Sequence, residues 1–205
     1  MKRETVFYWV LGLLLALALG CTDKGAPSGP AYRASDVSGA GFGRDFRLAD
    51  HNGRTRTLND FRGKVVLLSF GYTHCPDVCP TTLAELAGLM ERLGSDAQRV
   101  QVLFVTLDPE RDTPAQLARY VPFFHPGFLG LRGDLAATTA TAGEFRVAYQ
   151  KQDIGSAAGY SVDHSTGIYA FDPAGRLRLF IDYNSPLEDV VHDVRLLLGE
   201  NEATA

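Results

Sequence analysis

Cysteine is scarce in this sequence, with only three among 205 residues, and three thiols cannot all pair with one another inside one chain. A scaffold held together by internal disulfides between all of its cysteines is therefore excluded. Charge of one sign is also lacking, because 20 basic and 24 acidic residues leave a net charge of −4. The sequence has no basic stripe that would indicate a nucleic-acid partner and no acidic tail that would indicate a solvating segment. With 45% hydrophobic residues, the composition is that of a globular domain.

The apolar run near the N-terminus is too short for a typical membrane-spanning helix. It covers residues 6–20, which is 15 residues against the roughly 20 that a span needs. The run follows Lys2 and Arg3 and precedes Cys21, a pattern that fits an export signal ending in a lipidated Cys21. An uncleaved membrane anchor is the alternative. Either way, Lys2 and Arg3 stay in the cytoplasm and the rest lies outside, where thiols are easily oxidised.

Composition divides the chain into four parts. Glycine, proline and serine are frequent between residues 22 and 42 and apolar residues are few, which is typical of a flexible tether. The predicted parts are a signal segment or membrane anchor (1–21), a flexible linker (22–42), one folded domain (43–199) and a short tail (200–205). We find no internal repeat and no second domain in the sequence.

Hydrophobic patterning predicts strands that alternate with helices and then an antiparallel hairpin and a closing helix. Asn52-Gly53 predicts a type I′ turn in a first hairpin, and Thr113 is placed to cap a helix that has Pro114 at its first position. The predicted elements are a hairpin (46–58), strands (65–70, 100–107, 128–131, 167–171 and 177–183) and helices (80–93, 114–121, 135–147 and one ending near 198). This order predicts an α/β fold: a thioredoxin-like mixed sheet with flanking helices and an N-terminal β-hairpin.

Cys75 and Cys79 lie where active sites of α/β proteins occur, after a buried strand and at the start of a helix. Pro80 suits the first helical position, which predicts Cys79 as the N-cap, where the helix dipole favours a thiolate. One helical turn separates the two cysteines, so their sulfurs can converge on one point.

Three interpretations of the cysteine pair remain open: an inert disulfide, a redox-active dithiol, and a metal site with redox activity. A disulfide closing so small a loop would stabilise the fold little. Two thiolates favour Cu(I), zinc or an iron–sulfur centre, and with only these two thiols in the domain a closed four-cysteine zinc site is impossible.

His164 is the strongest histidine candidate for a ligand beside the cysteines. It lies in a polar loop over 161–166, and in thioredoxin-like proteins this loop approaches the cysteine pair. Asp163 is placed either to orient a metal ligand or to cap the loop. The remaining histidines are assigned to a solvated turn, to loops or to the last helix, namely His51, His74, His125 and His192.

Three segments, in this order and spacing, resemble the Sco/SenC family over about 42–198: Gly-Tyr-Thr-His-Cys-Pro-Asp-Val-Cys-Pro (71–80), Thr-Leu-Asp-Pro-Glu-Arg-Asp-Thr (106–113) and Val-Asp-His (162–164). The resemblance implies a thioredoxin fold with an inserted hairpin, and copper, as Cu(I) or Cu(II), bound by Cys75, Cys79 and His164. It also implies a metallochaperone that helps to assemble the binuclear copper site of cytochrome c oxidase. Residues 108–112 either serve the site or a partner, or act only in turn and capping contacts.

The implied partners are the copper-bearing subunit of cytochrome c oxidase, other copper chaperones and thiol reductases, without nucleic acid. The expected location is the periplasmic face of the bacterial inner membrane, with the chain tethered by Cys21 or an N-terminal helix.

The rival function is a thiol–disulfide oxidoreductase acting on an oxidase subunit or a cytochrome, although such enzymes usually carry Cys-x-x-Cys. A peroxidase is disfavoured because Tyr72 stands where peroxiredoxins have threonine.

Overall fold

The computed structural model describes residues 31–153, 155 and 159–199. The predictions for the segment 1–21 with Cys21, for the linker up to residue 30 and for the tail 200–205 lie outside these residues. Within the described part of the chain, no helix combines the length and the apolar character needed to cross a membrane.

Ten strands and four α-helices occur in the described residues. The strands are β1 (Ser35–Asp36), β2 (Leu48–Asp50), β3 (Thr55–Arg56), β4 (Val65–Gly71), β5 (Val100–Thr106), β6 (Leu129–Arg132), β7 (Tyr149–Asp153), β8 (Tyr160–His164), β9 (Ile168–Phe171) and β10 (Leu177–Ile181). The helices are α1 (Val78–Leu93), α2 (Pro114–Phe124), α3 (Leu135–Glu144) and α4 (Leu187–Gly199). Two short 3₁₀ helices, Leu58–Phe61 and Gly94–Arg99, connect them.

Eight strands form one mixed sheet in the order β1-β10-β9-β4-β5-β6-β2-β3. Strand β4 pairs with β5 in parallel and with β9 in antiparallel orientation, and β5 pairs with β6 in parallel. All seven residues of β4 are buried, as its continuous apolar run predicts for a central strand. Helix α1 packs against α4, and α2 packs against β6. The predicted mixed sheet with flanking helices and an N-terminal hairpin is confirmed.

Helix α1 begins two residues earlier than predicted, so the prediction of Cys79 as the N-cap is wrong. Asp77 occupies the cap position, and its carbonyl accepts a hydrogen bond from the Thr81 N–H at 3.1 Å. Pro80 lies inside the first turn rather than at its start. A helix tolerates this because the N–H groups of its first turn have no intrahelical partner, so the missing proline N–H breaks no bond.

The β2–β3 hairpin is confirmed, but its turn is not of type I′. Gly53 is in the left-handed region with φ 83°, whereas Asn52 is not, and a type I′ turn needs both residues there. The buried carboxylate of Asp50 explains the difference. It accepts hydrogen bonds from the N–H groups of Asn52 and Arg54 and pairs with the Arg56 guanidinium, which draws the turn around itself.

The folded unit begins at Tyr32, so the second half of the predicted linker belongs to the domain. Strand β1 covers the edge of β10, which would otherwise expose unpaired backbone groups. The buried carboxylate of Asp193 accepts hydrogen bonds from the backbone N–H groups of Arg33 and Ala34. These polar contacts leave little hydrophobic signal in the sequence, which explains why composition alone indicated a tether.

Strands β7 and β8 form a separate two-stranded antiparallel sheet, in which Tyr149 pairs with His164 and Asp153 with Tyr160. The residue patterning did not predict these strands, and the inserted hairpin came only from the family resemblance. His164 is thus the last residue of a strand rather than part of the predicted loop.

Candidate metal centre

The loop between β4 and α1 brings the two cysteines together. The Cys75 N–H donates to the Tyr72 carbonyl at 3.2 Å, and the Cys79 N–H donates to the Cys75 sulfur at 3.4 Å. Cys79 is 4% exposed and Cys75 is half-buried, and no disulfide joins them. Both sulfurs therefore lie on the same side of the first helical turn.

Gly71 makes room for the Cys79 side chain at the end of β4. A Cβ atom at this position would lie 2.7 Å from the Cys79 Sγ and 2.8 Å from Cε2 of Phe104. Real Cβ atoms essentially never come so close to other heavy atoms. The sulfur of Cys79 thus occupies space that any side chain at residue 71 would fill.

His164 completes the cluster from the end of β8. Its Nε2 lies 3.8 Å from the Cys79 Sγ, and its Nδ1 lies 2.9 Å from the carbonyl oxygen of Ser165. A carbonyl can only accept, so Nδ1 carries a proton and, in the neutral ring, the lone pair of Nε2 points towards the sulfurs. The ring of Tyr72 packs edge-on against the imidazole, at 6.2 Å between centroids.

The contact that orients His164 comes from Ser165 rather than from Asp163. Asp163 is exposed and precedes His164 in β8, and successive side chains of a strand point to opposite faces. Among the described residues, no hydrogen bond joins the Asp163 carboxylate to the imidazole. Its negative charge still contributes to a raised pKa of His164.

The two thiols have opposite electrostatic environments. The hydrogen bond from Cys79 lowers the pKa of Cys75 to about 4, against the opposing effect of burial, with help from His164 and from the N–H groups of Asp77 and Cys79. The same bond, together with burial, raises the pKa of Cys79. Burial lowers the pKa of His164, but its bonds to Cys75 and to the Ser165 carbonyl raise it by more. The pair is therefore one thiolate and one thiol beside an imidazole.

The donor set fits a soft metal ion such as Cu(I). Sulfur and nitrogen donors that share one metal ion lie roughly 3 to 4 Å apart, because each bond to the metal is about 2.0–2.3 Å long. The observed separation of the Cys79 Sγ and His164 Nε2 is 3.8 Å. Among the described residues, no group of three or more His, Cys, Asp or Glu side chains is already arranged to hold a metal ion.

The other histidines make their contacts elsewhere. His74 is directed at Thr73 and Asp112, with its Nδ1 3.2 Å and 3.5 Å from their side-chain oxygens. His51 is not solvated as expected: it is half-buried, and its Nδ1 accepts a hydrogen bond from the Gly130 N–H. His125 and His192 contact Gly127 and Asp193.

Sequence reasoning missed several residues that shape the site. Gly71 and Tyr72, which lie in the first motif, and Ser165, which follows the third, had no assigned role in a metal site. Asp112 is completely buried beneath the cysteine loop, where the motif 106–113 left its role open. The motif 106–113 was the available signal for Asp112. A carboxylate that is buried needs hydrogen-bond partners, and a turn alone does not supply them.

The chain matches the family model described as SCO1/SenC over residues 35–199. The mitochondrial SCO2 homolog of Bos taurus is 47% identical over 143 residues, which cover 69% of this chain and 53% of that protein. An SCO2-like protein of Rickettsia felis is 36% identical over 149 residues, covering 72% of this chain and 73% of the relative. The chain thus spans about half the length of the bovine relative.

Two solved structures are similar over most of the domain. ScoI of Bradyrhizobium japonicum with copper bound has a TM-score of 0.68 and 38% identity, covering 74% of this chain and 96% of that one. The apo Sco1 protein of Thermus thermophilus has a TM-score of 0.71 and 39% identity, covering 82% and 99%. The family match extends over most of the described residues and includes both cysteines and His164, and the chain belongs to the SCO1/SenC family.

Proposed function

We propose that this chain binds copper through Cys75, Cys79 and His164 and delivers it during assembly of the binuclear copper site of cytochrome c oxidase. The observation that carries the proposal is the approach of the His164 Nε2 to the Cys79 sulfur at 3.8 Å, beside the Cys75 thiolate. Copper-bound structures of similar proteins from Bradyrhizobium japonicum and yeast support the choice of metal.

The chemistry of the three donors suits a metal that must be passed on. Two thiolates and a neutral imidazole give the site a charge of −1 with Cu(I) and 0 with Cu(II). A site with three protein donors leaves room for a ligand of the acceptor, so copper is transferred by ligand exchange. Binding requires the loss of the Cys79 proton and of any proton on the His164 Nε2, so the affinity falls as the pH falls.

The asymmetry of the two thiols also favours a second function, as a thiol–disulfide oxidoreductase. The Cys75 thiolate would attack a substrate disulfide, form a mixed disulfide and release one substrate thiolate. The Cys79 thiol would then lose its proton and attack the Cys75 sulfur, which releases the second substrate thiolate and leaves an internal disulfide. The substrate gains the two electrons that the cysteine pair loses.

The proposed location is outside the bacterial inner membrane, on its periplasmic face. A cysteine pair that must be reduced to bind metal is sensitive to redox state there, so metal loading and thiol oxidation would be coupled. Retention of the Cys21→Ser protein in the membrane would favour the anchor, and its release would favour lipidation of Cys21.

The decisive experiment measures copper affinity in the reduced protein. Cu(I) is titrated against a chromophoric chelator, and Cu(II) is followed by its thiolate charge-transfer absorption. His164→Ala is expected to weaken binding by about 100-fold, at the upper end of the losses seen for groups that only orient ligands. His125→Ala is the matched control and should bind like the unmodified protein. Unchanged affinity and absorption in His164→Ala would contradict the three-ligand site.

Cys79→Ser separates the two functions. An oxidoreductase with this substitution should accumulate a mixed disulfide with its substrate, because the resolving thiol is missing. A copper carrier should lose metal binding and accumulate no such adduct.

A further inference from the structure

The loop after β5, residues 107–113, lies between the two halves of the site. We call it the acidic loop. On one side it contacts the cysteine loop, residues 72–77, and on the other it contacts the β7–β8 hairpin, which carries His164. Besides local turn contacts and the Thr113 cap of α2, the loop makes side-chain contacts with residues that are distant in the sequence, which turn and helix chemistry do not explain.

Asp112 ties the acidic loop to the cysteine loop. Its carboxylate is completely buried and accepts hydrogen bonds from the Thr73 N–H at 3.0 Å and from the Thr73 hydroxyl at 2.6 Å. The Thr106 hydroxyl, at the end of β5, donates a third at 2.6 Å. Because a buried carboxylate is costly unless its oxygens are satisfied, the two bonds from Thr73 hold this residue, two positions before Cys75, against Asp112, and the bond from Thr106 holds Asp112 against β5.

Arg111 ties the acidic loop to the hairpin. Its Nη1 donates to the Tyr160 carbonyl at 2.8 Å, its Nε pairs with the buried Asp108 carboxylate, and its guanidinium lies 3.7 Å from the centre of the Tyr160 ring. The Tyr160 hydroxyl donates back to Asp108 at 2.8 Å. A planar guanidinium can make the carboxylate, carbonyl and ring contacts at once, which a lysine cannot.

The two halves also touch directly beneath Arg111. The ring of Tyr72, in the cysteine loop, packs edge-on against the His164 imidazole of the hairpin, with 6.2 Å between the ring centroids. The Arg111 guanidinium lies 5.7 Å from the centre of the Tyr72 ring, so Arg111 packs between aromatic side chains of the cysteine loop and of the hairpin.

We propose that Arg111 and Asp112 are positioning residues for the metal site, which hold the cysteine loop and the hairpin so that His164 faces the sulfur of Cys79. Neither side chain binds the metal. The inference rests on the proposed function only where it predicts a change in copper affinity, because the position of the hairpin is also measurable without metal.

The test compares Arg111→Lys and Asp112→Asn with a matched pair from the turn after β9, Arg176→Lys and Asp172→Asn. Asp172 is also buried and paired with an arginine, but outside the site. Two quantities are measured in the reduced full-length protein: Cu(I) affinity against a chelator, and amide hydrogen exchange of β7 and β8 in the metal-free state.

Arg111→Lys and Asp112→Asn are expected to weaken Cu(I) binding by about 10-fold, as other groups that hold metal ligands do. Arg111→Lys should also speed amide exchange in the hairpin, while the controls change neither quantity. In a His164→Ala background, Arg111→Lys should cause no further loss of affinity, because it acts through the imidazole.

Three results would overturn the inference. One is a rate of amide hydrogen exchange in the hairpin that is the same in Arg111→Lys as in the unmodified protein. Another is a loss in the double variant equal to the product of the two single losses. The third is an equal loss of affinity in the controls, which would mean general destabilisation. Should His164→Ala itself bind copper normally, the proposed function fails, while exchange in the hairpin still decides the positioning role.

Discussion

The cysteine loop and the β7–β8 hairpin contribute to one site but are held in different ways. The loop follows β4, all of whose residues are buried, and leads into α1, whose leucines lie in the core. The hairpin is mostly exposed, and among its described residues only Val162 is buried. Tyr149 and Tyr160 are partly buried against the core, and polar contacts add to this packing: Tyr160 to Asp108 and Arg111, and Lys151 to Glu110.

The difference separates two properties of the site. Packing of the core holds the buried Cys79 sulfur, so its position resists local changes. The position of His164 depends on contacts that are largely at the surface of the domain, so it can change while the rest of the domain stays folded. The following substitutions test this division, beginning with the largest expected effect.

Gly71→Ala should disturb the cysteine half most strongly. The new methyl group would meet the Cys79 Sγ at 2.7 Å and Phe104 at 2.8 Å inside a packed core. We expect a loss of about 3 kcal/mol in the free energy of unfolding, measured with denaturant. Gly88→Ala is the control, since its methyl group would contact only Leu187, at an ordinary 3.6 Å. Equal stability of the two variants would mean that the core does not fix Cys79.

Gly167→Ala should act mainly on the histidine half. Gly167 has φ 131°, which strains any other residue, and a Cβ there would lie 2.3 Å from Cζ of Phe180. The expected loss is about 2 kcal/mol, smaller than for Gly71→Ala because Phe180 is half-buried and can move. Copper affinity should fall, whereas alkylation of Cys75 should stay fast. If alkylation of Cys75 in this variant became slow and dependent on pH, the two halves of the site would not be held independently.

The pH dependence of Cys75 alkylation measures how much each half stabilises the thiolate. A pKa lowered to about 4 means that the thiol is protonated only at still lower pH, so the rate should be constant from about pH 6 to 8. The bond from Cys79 is the largest cause, so Cys79→Ala should raise the apparent pKa more than His164→Ala does. If His164→Ala raised the apparent pKa more, His164 of the hairpin would be the main group that stabilises the thiolate. The alkylation rate of Cys75 in each variant is measured by mass spectrometry of samples quenched at successive times.

Lys151→Ala should have the smallest effect. Lys151 pairs with Glu110 across the hairpin and the acidic loop, but both side chains are largely exposed. Such pairs contribute little, so we expect a loss of less than about 0.5 kcal/mol in thermal unfolding and unchanged copper affinity. Arg92→Ala, which removes a similar exposed pair with Glu188, is the control. If Lys151→Ala weakened copper binding more than Arg111→Lys does, Lys151 rather than Arg111 would be the main anchor of the hairpin.

The cysteine half could be predicted from the sequence because its signals are local. The apolar run of β4 and the spacing of the α1 leucines locate the loop between them, and the Thr113 side chain caps α2 through the Gln116 N–H as predicted. The exact start of α1 could not be predicted, since a proline fits at more than one position of the first turn.

The histidine half could not be predicted from residue patterns. Strand β7, with the sequence Tyr-Gln-Lys-Gln-Asp, has neither apolar alternation nor β-branched residues. The group that orients His164 is the backbone carbonyl of Ser165, and every residue type has a carbonyl. Two buried carboxylates also bind backbone groups in ways that residue patterns do not reveal. Asp193 holds a segment that composition assigned to a tether, and Asp50 shapes a turn that was predicted to be of type I′.

The central pairing of β4 with β9 has a consequence for the order of folding. It joins Val66 to Phe171 and Ser69 to Ile168, pairs on the order of 100 residues apart in the chain. Closing so long a loop is slow compared with forming a helix, and His164 lies just before β9. Cys75 and Cys79 also precede His164 in the chain, so during synthesis the two thiols of the proposed site emerge well before its imidazole.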